Sequence, residues 1–349
     1  MKIHFDNIIY SLQRAGGIST YWGELSKRLI RDKIDVTFIE MKGVTNVVRN
    51  SLEISNLKLI TEKAFFLKRF LSLNFSDTAG KFIFHSSYNR VTCNKMALPV
   101  ITIHDFVHEK FYTGIRRLLH SYQKSKAIKF ADRVIVISEN TKKDLLFYHP
   151  KIDPNKIRVI YNGVSEDFFP LLSDTTQTTS LKRKKILFVG SREHYKNFNF
   201  VVEVVSQLNG FELSIVGSQL KREEEKLLRH KLGSRWELFN NISNKELNII
   251  YNQACTLLYP SSYEGFGIPP LEAMRAGTPF IALRKSSIPE VAGDAGILLN
   301  DLDVESFKNA IFTVESNREA LRKKGFEQST KFSWEKCYQQ TLEVYKELY

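Results

Sequence analysis

The feature that most limits the possible folds is a regular alternation of short apolar runs with amphipathic helical stretches, which restarts in the second half of the chain. Strands that alternate with helices form parallel sheets covered by helices. The sequence therefore predicts an α/β fold of two doubly wound, Rossmann-like domains that face a central cleft. Strands are predicted at Met1–Phe5, Val36–Glu40, Phe82–His85, Val100–His104, Arg133–Ile137, Arg158–Tyr161, Ile186–Val189, Leu213–Val216, Trp236–Phe239, Leu257–Tyr259, Phe280–Leu283 and Gly296–Leu299.

A polar stretch without periodicity separates the two halves. Residues 173–179 read SDTTQTT and lead into the cationic cluster Lys182–Lys185. This composition is typical of exposed interdomain linkers, so we interpret Leu171–Lys184 as the linker. We expect one domain at 1–170 and a second at 171–331, and a length of 349 residues also favours two domains.

The composition is that of an ordinary globular chain, with 43% hydrophobic and 26% charged residues. A net charge of +13 is compatible with nucleic acid, an anionic membrane or a phosphorylated substrate, and does not choose among them. Cys93, Cys255 and Cys337 are far apart in sequence, which argues against a zinc site or a disulfide framework. Because we find neither a signal peptide nor an apolar run of membrane-spanning length, we expect a cytoplasmic protein.

The stretch Tyr259–Gly277, YPSSYEGFGIPPLEAMRAG, predicts the end of a strand, a glycine loop and a helix in succession. Pro269 and Pro270 suit the first positions of a helix, and Gly277 suits the residue that follows its end. A glycine loop that leads into a helix presents free backbone N–H groups and the positive end of the helix dipole. That combination is a favourable site for phosphate.

Two carboxylates flank this predicted phosphate site. Glu264 lies in the loop, and we place Glu272 in the first helical turn. Carboxylates accept hydrogen bonds from hydroxyl groups, so the two glutamates could bind a polyol beside the phosphate. A ligand that combines phosphate with a polyol suggests a sugar nucleotide. The alternative is purely structural, since strand–glycine–helix corners are common and a carboxylate in a first turn stabilises the helix dipole.

Further candidates lie at other predicted strand ends, where ligands gather in open α/β sheets. His104 and Asp105 are adjacent residues at the end of one predicted strand, and His85, Ser86 and Ser87 lie at the end of another. A single histidine at such a position is more often a hydrogen-bonded structural residue than a catalyst. The adjacent histidine and aspartate are therefore the stronger candidates.

Two cations and a second glycine turn complete the set. Arg192 and Lys196 come soon after the predicted turn at Gly190, and two cations at a strand end can clamp a diphosphate. On their own they would be interpreted as a solvated basic loop. Gly16 and Gly17 permit close approach of a phosphate, although a bare Gly-Gly pair is usually only a turn.

Two predicted helices combine cations with apolar side chains. Ala64–Phe75, AFFLKRFLSLNF, fits a helix that lies on an anionic membrane surface, and equally a core helix with a basic solvent face. The second helix, Ile115–Phe130, is also basic, and we interpret its charges as facing water. Its cations are Arg116, Arg117, Lys124, Lys126 and Lys129.

The following strings occur in this order along the chain: GGI near the N-terminus, HSSYNR, TIHDF, VISENTKKDL, VIYNGV, FVGSREHYKNF, YPSSYEGFGIPPLEAMRAGTP, SSIPEVAGDAG and FSWEKCYQQTLEVY. In this order they resemble the retaining, two-Rossmann-domain (GT-B) glycosyltransferases of family 4, and they cover nearly the whole length. The Glu-x7-Glu pair of Glu264 and Glu272 is that family's most specific signature.

The resemblance implies a role for each candidate side chain. Glu264 would contact the donor sugar or stabilise charge near its anomeric carbon, and Glu272 would hold the ribose hydroxyls. Arg192 and Lys196 would bind the diphosphate and assist its departure. His104 would lie at the donor sugar.

The resemblance extends to backbone groups and to the domains. Gly265-Phe266-Gly267-Ile268 would supply N–H groups to sugar and phosphate, and Gly16-Gly17 would lie near phosphate and acceptor. The N-terminal domain would bind the acceptor and the C-terminal domain the nucleotide sugar. A terminal helix at about 332–349 would pack back on the N-terminal domain.

The resemblance also implies the substrates. GDP-mannose is the favoured donor, with UDP-glucose, UDP-GlcNAc or a related hexose donor as the alternative, and the acceptor is a lipid-linked oligosaccharide of O-antigen or capsule synthesis. No metal is expected, because Arg192 and Lys196 carry the compensating charge. We interpret Asp301-Leu302-Asp303, which spells an Asp-x-Asp metal motif, as a polar turn.

The expected location is the cytoplasm, with peripheral contact to the anionic inner membrane face. Nucleic acid is not an expected partner, because the cations are dispersed and no recognised binding motif accompanies them. A nucleotide-sugar epimerase would share the two-domain scaffold, and it would convert the donor with no acceptor present.

Overall fold

The structure is a computed structural model that describes residues 1–54, 59–62, 69–73, 80–171 and 184–349. Within these ranges the chain forms two compact units. The N-terminal unit comprises Met1–Gly163 and Trp334–Tyr349, and the C-terminal unit comprises Val164–Ser333. Most of the predicted linker and most of the predicted helix at 64–75 lie outside the described residues.

The N-terminal unit is built on a parallel sheet. Its described strands are β1 (Lys2–Asp6), β2 (Asp35–Met41), β3 (Leu59–Glu62), β4 (Phe82–Ser86), β5 (Ala97–Ile103), β6 (Arg133–Val136) and β7 (Ile157–Val159). They follow the order β3-β2-β1-β4-β5-β6-β7, and every neighbouring pair is parallel. The order reverses between β1 and β4, as in a doubly wound fold.

The described helices of this unit are α1 (Ile9–Leu12), α2 (Gly17–Arg31), α3 (Val47–Asn50), α4 (Val107–Phe111), α5 (Gly114–Phe130), α6 (Glu139–Tyr148) and, at the end of the chain, α14 (Trp334–Leu348). The longer helices of this unit bury apolar side chains in its core, such as Leu25 and Leu29 of α2 and Ala127 and Ile128 of α5. Ser138 caps α6 as the sequence predicts, since its hydroxyl accepts a hydrogen bond from the backbone N–H of Thr141 at 3.0 Å.

The C-terminal unit repeats the architecture. Its strands are β8 (Lys184–Val189), β9 (Phe211–Val216), β10 (Trp236–Phe239), β11 (Ala254–Tyr259), β12 (Phe280–Leu283) and β13 (Ile297–Leu299), in the order β10-β9-β8-β11-β12-β13. Its helices are α7 (Phe198–Ser206), α8 (Arg222–Leu232), α9 (Asn244–Gln253), α10 (Ile268–Ala276), α11 (Ile288–Ala292), α12 (Val304–Ser316) and α13 (Arg318–Ser329). Here the order reverses between β8 and β11.

The predicted strands occur with their ends shifted by a few residues. Strand β5 ends at Ile103, so His104 is the first residue beyond the sheet, and β7 ends at Val159. The edge strand β3 was not predicted, because a short run that pairs on one side carries little periodicity. The Asp-x-Asp string does form a polar turn, in which Asp303 caps α12 by accepting from the N–H of Ser306 at 2.8 Å.

The terminal helix α14 packs against α2 and closes the core of the N-terminal unit. Its carboxylate Glu335 accepts hydrogen bonds from Arg28 at 3.1 Å and from Arg31 at 2.9 Å. Its buried face places Trp334 and Tyr338 in one apolar cluster with residues of β1 and α2. The helix is therefore an integral part of this unit, although it is the last element in sequence.

His85, a candidate by position at a strand end, lies in this core. The hydroxyl of Tyr345 lies 2.5 Å from its Nδ1, and that of Thr102 lies 3.0 Å from its Nε2. The hydroxyl of Tyr21 is in turn 3.2 Å from the Thr102 hydroxyl. Burial lowers the pKa of His85 to about 3, so the ring is neutral and both nitrogens serve the hydrogen-bond network. This histidine has a structural role.

We predict that Tyr345→Phe destabilises the N-terminal unit by about 1–3 kcal/mol, because it leaves a buried nitrogen of His85 without its partner. The measurement is urea denaturation followed by the fluorescence of Trp22 and Trp334, which both belong to that unit.

The matched control is Tyr349→Phe, which removes the same hydroxyl from a side chain that is 54% exposed. The experiment is best done in a Trp236→Phe background, which silences the tryptophan of the C-terminal unit. Equal unfolding midpoints for the Tyr345 and Tyr349 variants would show that the Tyr345–His85 contact contributes nothing.

Candidate active site

Two loops of the C-terminal unit leave the adjacent strands β8 and β11 and are bound to each other. The backbone N–H of Ser262 donates to the carbonyl of Tyr195 at 2.8 Å. The side-chain amide of Asn197 donates to the carbonyl of Pro260 at 2.7 Å and to the Ser262 hydroxyl at 2.8 Å. Asn197 has a left-handed backbone with φ of 55°, which asparagine tolerates better than most residues. Ligands bind in doubly wound sheets where the strand order reverses, and these loops lie there.

An ion pair joins the same two loops. The ammonium of Lys196 lies 2.5 Å from Oε1 of Glu264 and donates at 3.3 Å to the hydroxyl of Tyr259. The Lys196 and Glu264 side chains are only 12% and 11% exposed. Burial and the nearby Glu264 carboxylate raise the pKa of Tyr259, which therefore stays a neutral phenol. The structure thus brings together two of the predicted site residues.

Two serines beyond β12 hold the loop that carries Glu264. The N–H of Glu264 donates to the Ser286 hydroxyl at 2.8 Å. The Ser287 hydroxyl lies within hydrogen-bond distance of two carbonyls, that of Glu264 at 3.0 Å and that of Phe266 at 2.8 Å. Sequence reasoning did not assign these serines a role, although they lie in the string SSIPEVAGDAG that supports the resemblance. A hydroxyl and its distant carbonyl partner cannot be matched from one sequence.

Gly267 is required at the start of α10. Its φ is 110°, and a Cβ added there would lie 2.7 Å from Cδ1 of Ile288. At the other end of the helix Gly277 has φ of 77°, which confirms its predicted position. The glycine bend is therefore fixed in shape, with the Ile288 side chain of α11 close to Gly267.

The first turn of α10 has few backbone donors. Pro269 and Pro270 occupy the second and third helical positions, and proline has no N–H. The N–H of Leu271 already donates to the Gly267 carbonyl at 3.4 Å. The first turn thus offers the N–H of Ile268, and any further amides come from the glycine bend.

The sequence predicted Glu272 in the first helical turn, and this prediction is wrong. Because α10 begins at Ile268, Glu272 lies beyond the first turn. The half-buried carboxylate accepts a hydrogen bond from the hydroxyl of Tyr251 at 2.9 Å. Burial raises the pKa of Glu272 to about 7, against the opposing effect of the Tyr251 hydrogen bond. The group therefore changes charge near neutral pH, and it does not act as a first-turn dipole partner.

Arg192 turns towards β9, on the other side of β8 from Lys196. Its Nε donates to Glu224 at 2.9 Å, and its Nη2 donates to the carbonyls of Ser218 at 3.0 Å and Gln219 at 2.7 Å. The side chain is 3% exposed. Its Nη1 is buried and has no hydrogen-bond partner among the described residues.

In the N-terminal unit, His104 follows β5 and packs edge-on against Tyr21, with ring centroids 5.0 Å apart. Burial lowers the pKa of His104 to about 4, so the imidazole is neutral. Its Nε2 is buried and has no hydrogen-bond partner in the described part of the chain. His104 and Asp105 line a small pocket with Asn89, His120 and other residues.

Gly16 and Gly17 form the exposed N-terminus of α2, whose first residue is Gly17. Next to this end lies a cavity of about 570 Å³ at the carboxyl ends of β1 and β2. Three cations line it, Arg14, Lys42 and Arg69. Sequence reasoning missed this cavity, because its walls come from three separate segments.

Ser86 and Ser87, the remaining candidates by position, stabilise the fold. The Ser86 hydroxyl donates to Asp6 at 2.8 Å, and the Ser87 hydroxyl accepts from the N–H of Ile9 at 2.9 Å. Asp6 also forms a buried ion pair with Arg90. In the described part of the chain, no helix has both the length and the hydropathy that crossing a bilayer requires.

Two family models together match most of the chain. Residues 15–168 match the family model described as Glycosyltransferase Family 4, and residues 174–331 match the one described as Glycosyl transferases group 1. The chain is 26% identical to O-antigen chain mannosyltransferase B of Escherichia coli over an alignment of 294 residues. The alignment spans 76% of this chain and 74% of the relative. It is 29% identical over 228 residues to O-antigen chain mannosyltransferase RfbU of Salmonella typhimurium, which spans 63% of this chain and 62% of the relative.

Among solved structures, Alr3699/HepE of Anabaena in complex with UDP-glucose superposes with a TM-score of 0.75 at 15% identity. The alignment covers 100% of both chains. At this identity the likeness shows the fold alone, and it confirms the predicted α/β class with two doubly wound sheets.

We predict that the free energy of unfolding of the C-terminal unit falls as the pH rises from about 5 to about 8, by about 2 kcal/mol from Glu272 alone. Its pKa in the folded chain is about 7, raised from 4.5, so the native state holds a proton that the unfolded chain has lost in this range. Stability from this source is complete at low pH and is lost as the carboxyl ionises. Glu272→Gln should remove this dependence in urea titrations at a series of pH values.

Glu223→Gln is the matched control, because Glu223 is exposed on α8 of the same unit. It should leave the slope of stability against pH unchanged. A Glu272→Gln variant with the wild-type slope would show that another group carries the dependence.

Proposed function

The chain belongs to the family 4 glycosyltransferases (glycosyl transferases group 1), and on that premise we propose that it transfers a hexose from a nucleotide-diphosphate sugar to a lipid-linked saccharide. Mannose from GDP-mannose is our first choice, because the two relatives described above are named as O-antigen mannosyltransferases. A UDP-hexose donor is the alternative. The product would belong to a surface polysaccharide such as O-antigen or capsule.

The observation that carries this proposal is the Lys196–Glu264 pair beside the bend Gly265–Gly267. In glycosyl transfer the diphosphate leaves as an anion while positive charge develops at the anomeric carbon. An ammonium and a carboxylate held side by side match this separation of charge, with Lys196 towards the diphosphate and Glu264 towards the sugar. Such a fixed pair stabilises the charge-separated transition state more than the ground state, in which the glycosidic bond of the donor is still intact.

The neighbouring groups extend the donor site. We propose that Glu272, whose second oxygen remains available beside the Tyr251 hydrogen bond, accepts hydrogen bonds from the ribose hydroxyls. The backbone N–H groups of Gly265, Phe266, Gly267 and Ile268 would bind sugar and phosphate oxygens. A rigid bend is suited to this task, because donors that are already oriented need no reorganisation when charge develops.

Arg192 is proposed as the second cation for the diphosphate. Its unpartnered Nη1 supports this role, since a buried guanidinium N–H without an acceptor gains a charge-assisted hydrogen bond when a phosphate oxygen arrives. With Lys196 it would supply the charge that a divalent cation otherwise provides, so we propose metal-independent transfer. Retention of the anomeric configuration is part of the same proposal.

The N-terminal unit would bind the acceptor. We propose that the cavity lined by Arg14, Lys42 and Arg69 receives an anionic saccharide or diphosphate part of it, near Gly16 and Gly17. The neutral imidazole of His104 would donate a hydrogen bond to a sugar hydroxyl or accept one from it. A lipid-linked acceptor also places the enzyme at the cytoplasmic face of an anionic membrane.

We predict that Glu264→Gln reduces transfer at least about a hundredfold while donor affinity stays the same or rises. The substitution removes the charge that faces the anomeric carbon, and it releases Lys196 for the diphosphate. Lys196→Met should weaken both donor binding and turnover. Initial rates with GDP-mannose and calorimetric titration of the donor measure the two effects separately.

Lys185→Met is the control for Lys196→Met, because Lys185 lies near the start of β8, the strand that leads into the Lys196 loop, in an ion pair with Glu237 at 2.7 Å. It should leave kcat and donor affinity at wild-type values. Unchanged turnover in the Glu264 variant would remove the residue from the reaction.

We predict selective thermal stabilisation by GDP and GDP-mannose over UDP and UDP-glucose in a thermal-shift series. At one ligand concentration, a nucleotide that binds only the native state raises the unfolding midpoint more the tighter it binds, because the stabilisation grows as RT ln(1 + L/Kd), where L is the free ligand concentration. The Glu272→Gln variant should lose most of this shift, because it loses contacts to the ribose. Stabilisation by UDP alone would establish the alternative donor class.

A further inference from the structure

An apolar stripe lies exposed along the first turns of α5 in the N-terminal unit. Ile115, Leu118, Leu119 and Tyr122 are 70%, 65%, 46% and 71% exposed. Their spacing of i, i+3, i+4 and i+7 places them on one face of the helix. We call these four side chains the α5 stripe. Single exposed apolar residues are normal, whereas a contiguous exposed face marks an interaction surface.

Positive charge accompanies the α5 stripe along the helix. Arg116 and Arg117 are exposed in the same first turns, and the helical repeat places Lys126 and Lys129 on the face of the stripe further along. The helix sequence GIRRLLHSYQKSKAIKF contains no aspartate or glutamate. An apolar stripe followed by cations on one helical face is the pattern of a helix that lies in a membrane interface.

The opposite face of α5 is firmly held, so the stripe is presented by a rigid element. The ammonium of Lys124 is buried, and it donates to Glu109 at 2.9 Å and to the carbonyl of Asp105 at 2.8 Å. Ala127 and Ile128 are buried in the core of the unit. The exposure of the stripe therefore follows from the orientation in which the core fixes the helix.

The described part of the chain at residues 69–73 extends the same surface. Gln123 donates to the backbone carbonyl of Arg69, and the Lys126 ammonium lies 3.4 Å from the Ser72 hydroxyl. Leu71, between these two contacts, is 56% exposed. An apolar side chain from a second segment thus lies beside the helix.

We propose that the α5 stripe docks on an anionic lipid bilayer, with its apolar side chains among the lipid headgroups and acyl-chain ends and its cations at the lipid phosphates. Apolar insertion and electrostatic attraction together give binding that either one alone does not. A second copy of this chain fits the surface poorly, because a symmetric contact would bring the cations of both copies together. The inference rests on the proposed function only for its purpose, which is to bring the enzyme to a lipid-linked acceptor.

The test is sedimentation of the full chain with vesicles of phosphatidylcholine alone or mixed with phosphatidylglycerol, with no sugar nucleotide present. The wild-type chain should bind the mixed vesicles and bind the neutral ones weakly. Leu118→Ser with Tyr122→Ser should reduce binding on the order of tenfold or more, since two apolar side chains no longer insert. Arg116→Gln with Arg117→Gln should weaken binding and reduce its dependence on salt.

Control variants remove exposed apolar area or the same number of charges elsewhere. Phe147→Ser changes an aromatic side chain that is 75% exposed on α6, and Lys323→Gln with Lys324→Gln removes two exposed cations from α13. Both controls should bind as the wild type does. Equal binding to neutral and mixed vesicles, or wild-type binding by the stripe variants, would overturn the proposal.

Two further readouts separate this proposal from the others. Donor-induced thermal stabilisation of the stripe variants should equal that of the wild type, so that failure at the membrane and failure at the donor site are distinguishable. Size-exclusion chromatography should show no change of oligomeric state. A wild-type oligomer that the stripe substitutions dissociate would assign the surface to a second copy and overturn the membrane proposal.

Discussion

The contact on which the C-terminal site depends is the ion pair between Lys196 and Glu264. It joins loops from strands that are neighbours in the sheet but far apart in sequence, at the point where the strand order reverses. Removing one partner would leave the other charge nearly buried without compensation, which costs about 3–5 kcal/mol in proteins. The pair therefore fixes the geometry of the glycine bend as well as its charge, and the hydrogen bonds of Asn197 and Ser287 reinforce the same arrangement.

The corresponding point of the N-terminal sheet is filled differently. Between β1 and β4, Asp6 forms a buried ion pair with Arg90 and accepts a hydrogen bond from Ser86. These groups satisfy one another, so the strand-order reversal of this unit carries a structural network. Among the described residues of this unit, the buried atoms without a hydrogen-bond partner include Oδ1 of Asn7, just after β1, and Nε2 of His104, just after β5. The same sheet topology thus carries an ion pair at its reversal point in both units, with side chains at most 1% exposed in the N-terminal unit and 11–12% exposed in the C-terminal unit.

Much of the fold follows from local pattern, whereas the side-chain partners do not. Apolar runs, Ser138 and Gly277 identify strands and helix ends, because each depends on a few neighbouring residues. The partner of Arg192 depends instead on where Glu224 lies after the chain has folded, and no local rule supplies that. Glu272 was misplaced because Pro269 and Pro270 allow several helix starts; with the helix beginning at Ile268, the carboxylate lies beyond the first turn, where it accepts a hydrogen bond from Tyr251.

The distribution of positive charge links the two proposals. In the part of the chain that the structure describes, the interior cations Lys124 and Lys196 are paired with Glu109 and Glu264. Such pairs add nothing to the net charge of +13, which therefore comes from other cations of the chain. Surface charge that is evenly spread favours solubility alone. On α5 the cations lie beside exposed aliphatic side chains and no acidic residue shares the helix, so the surplus there acts together with apolar area and selects an anionic, partly apolar surface as partner.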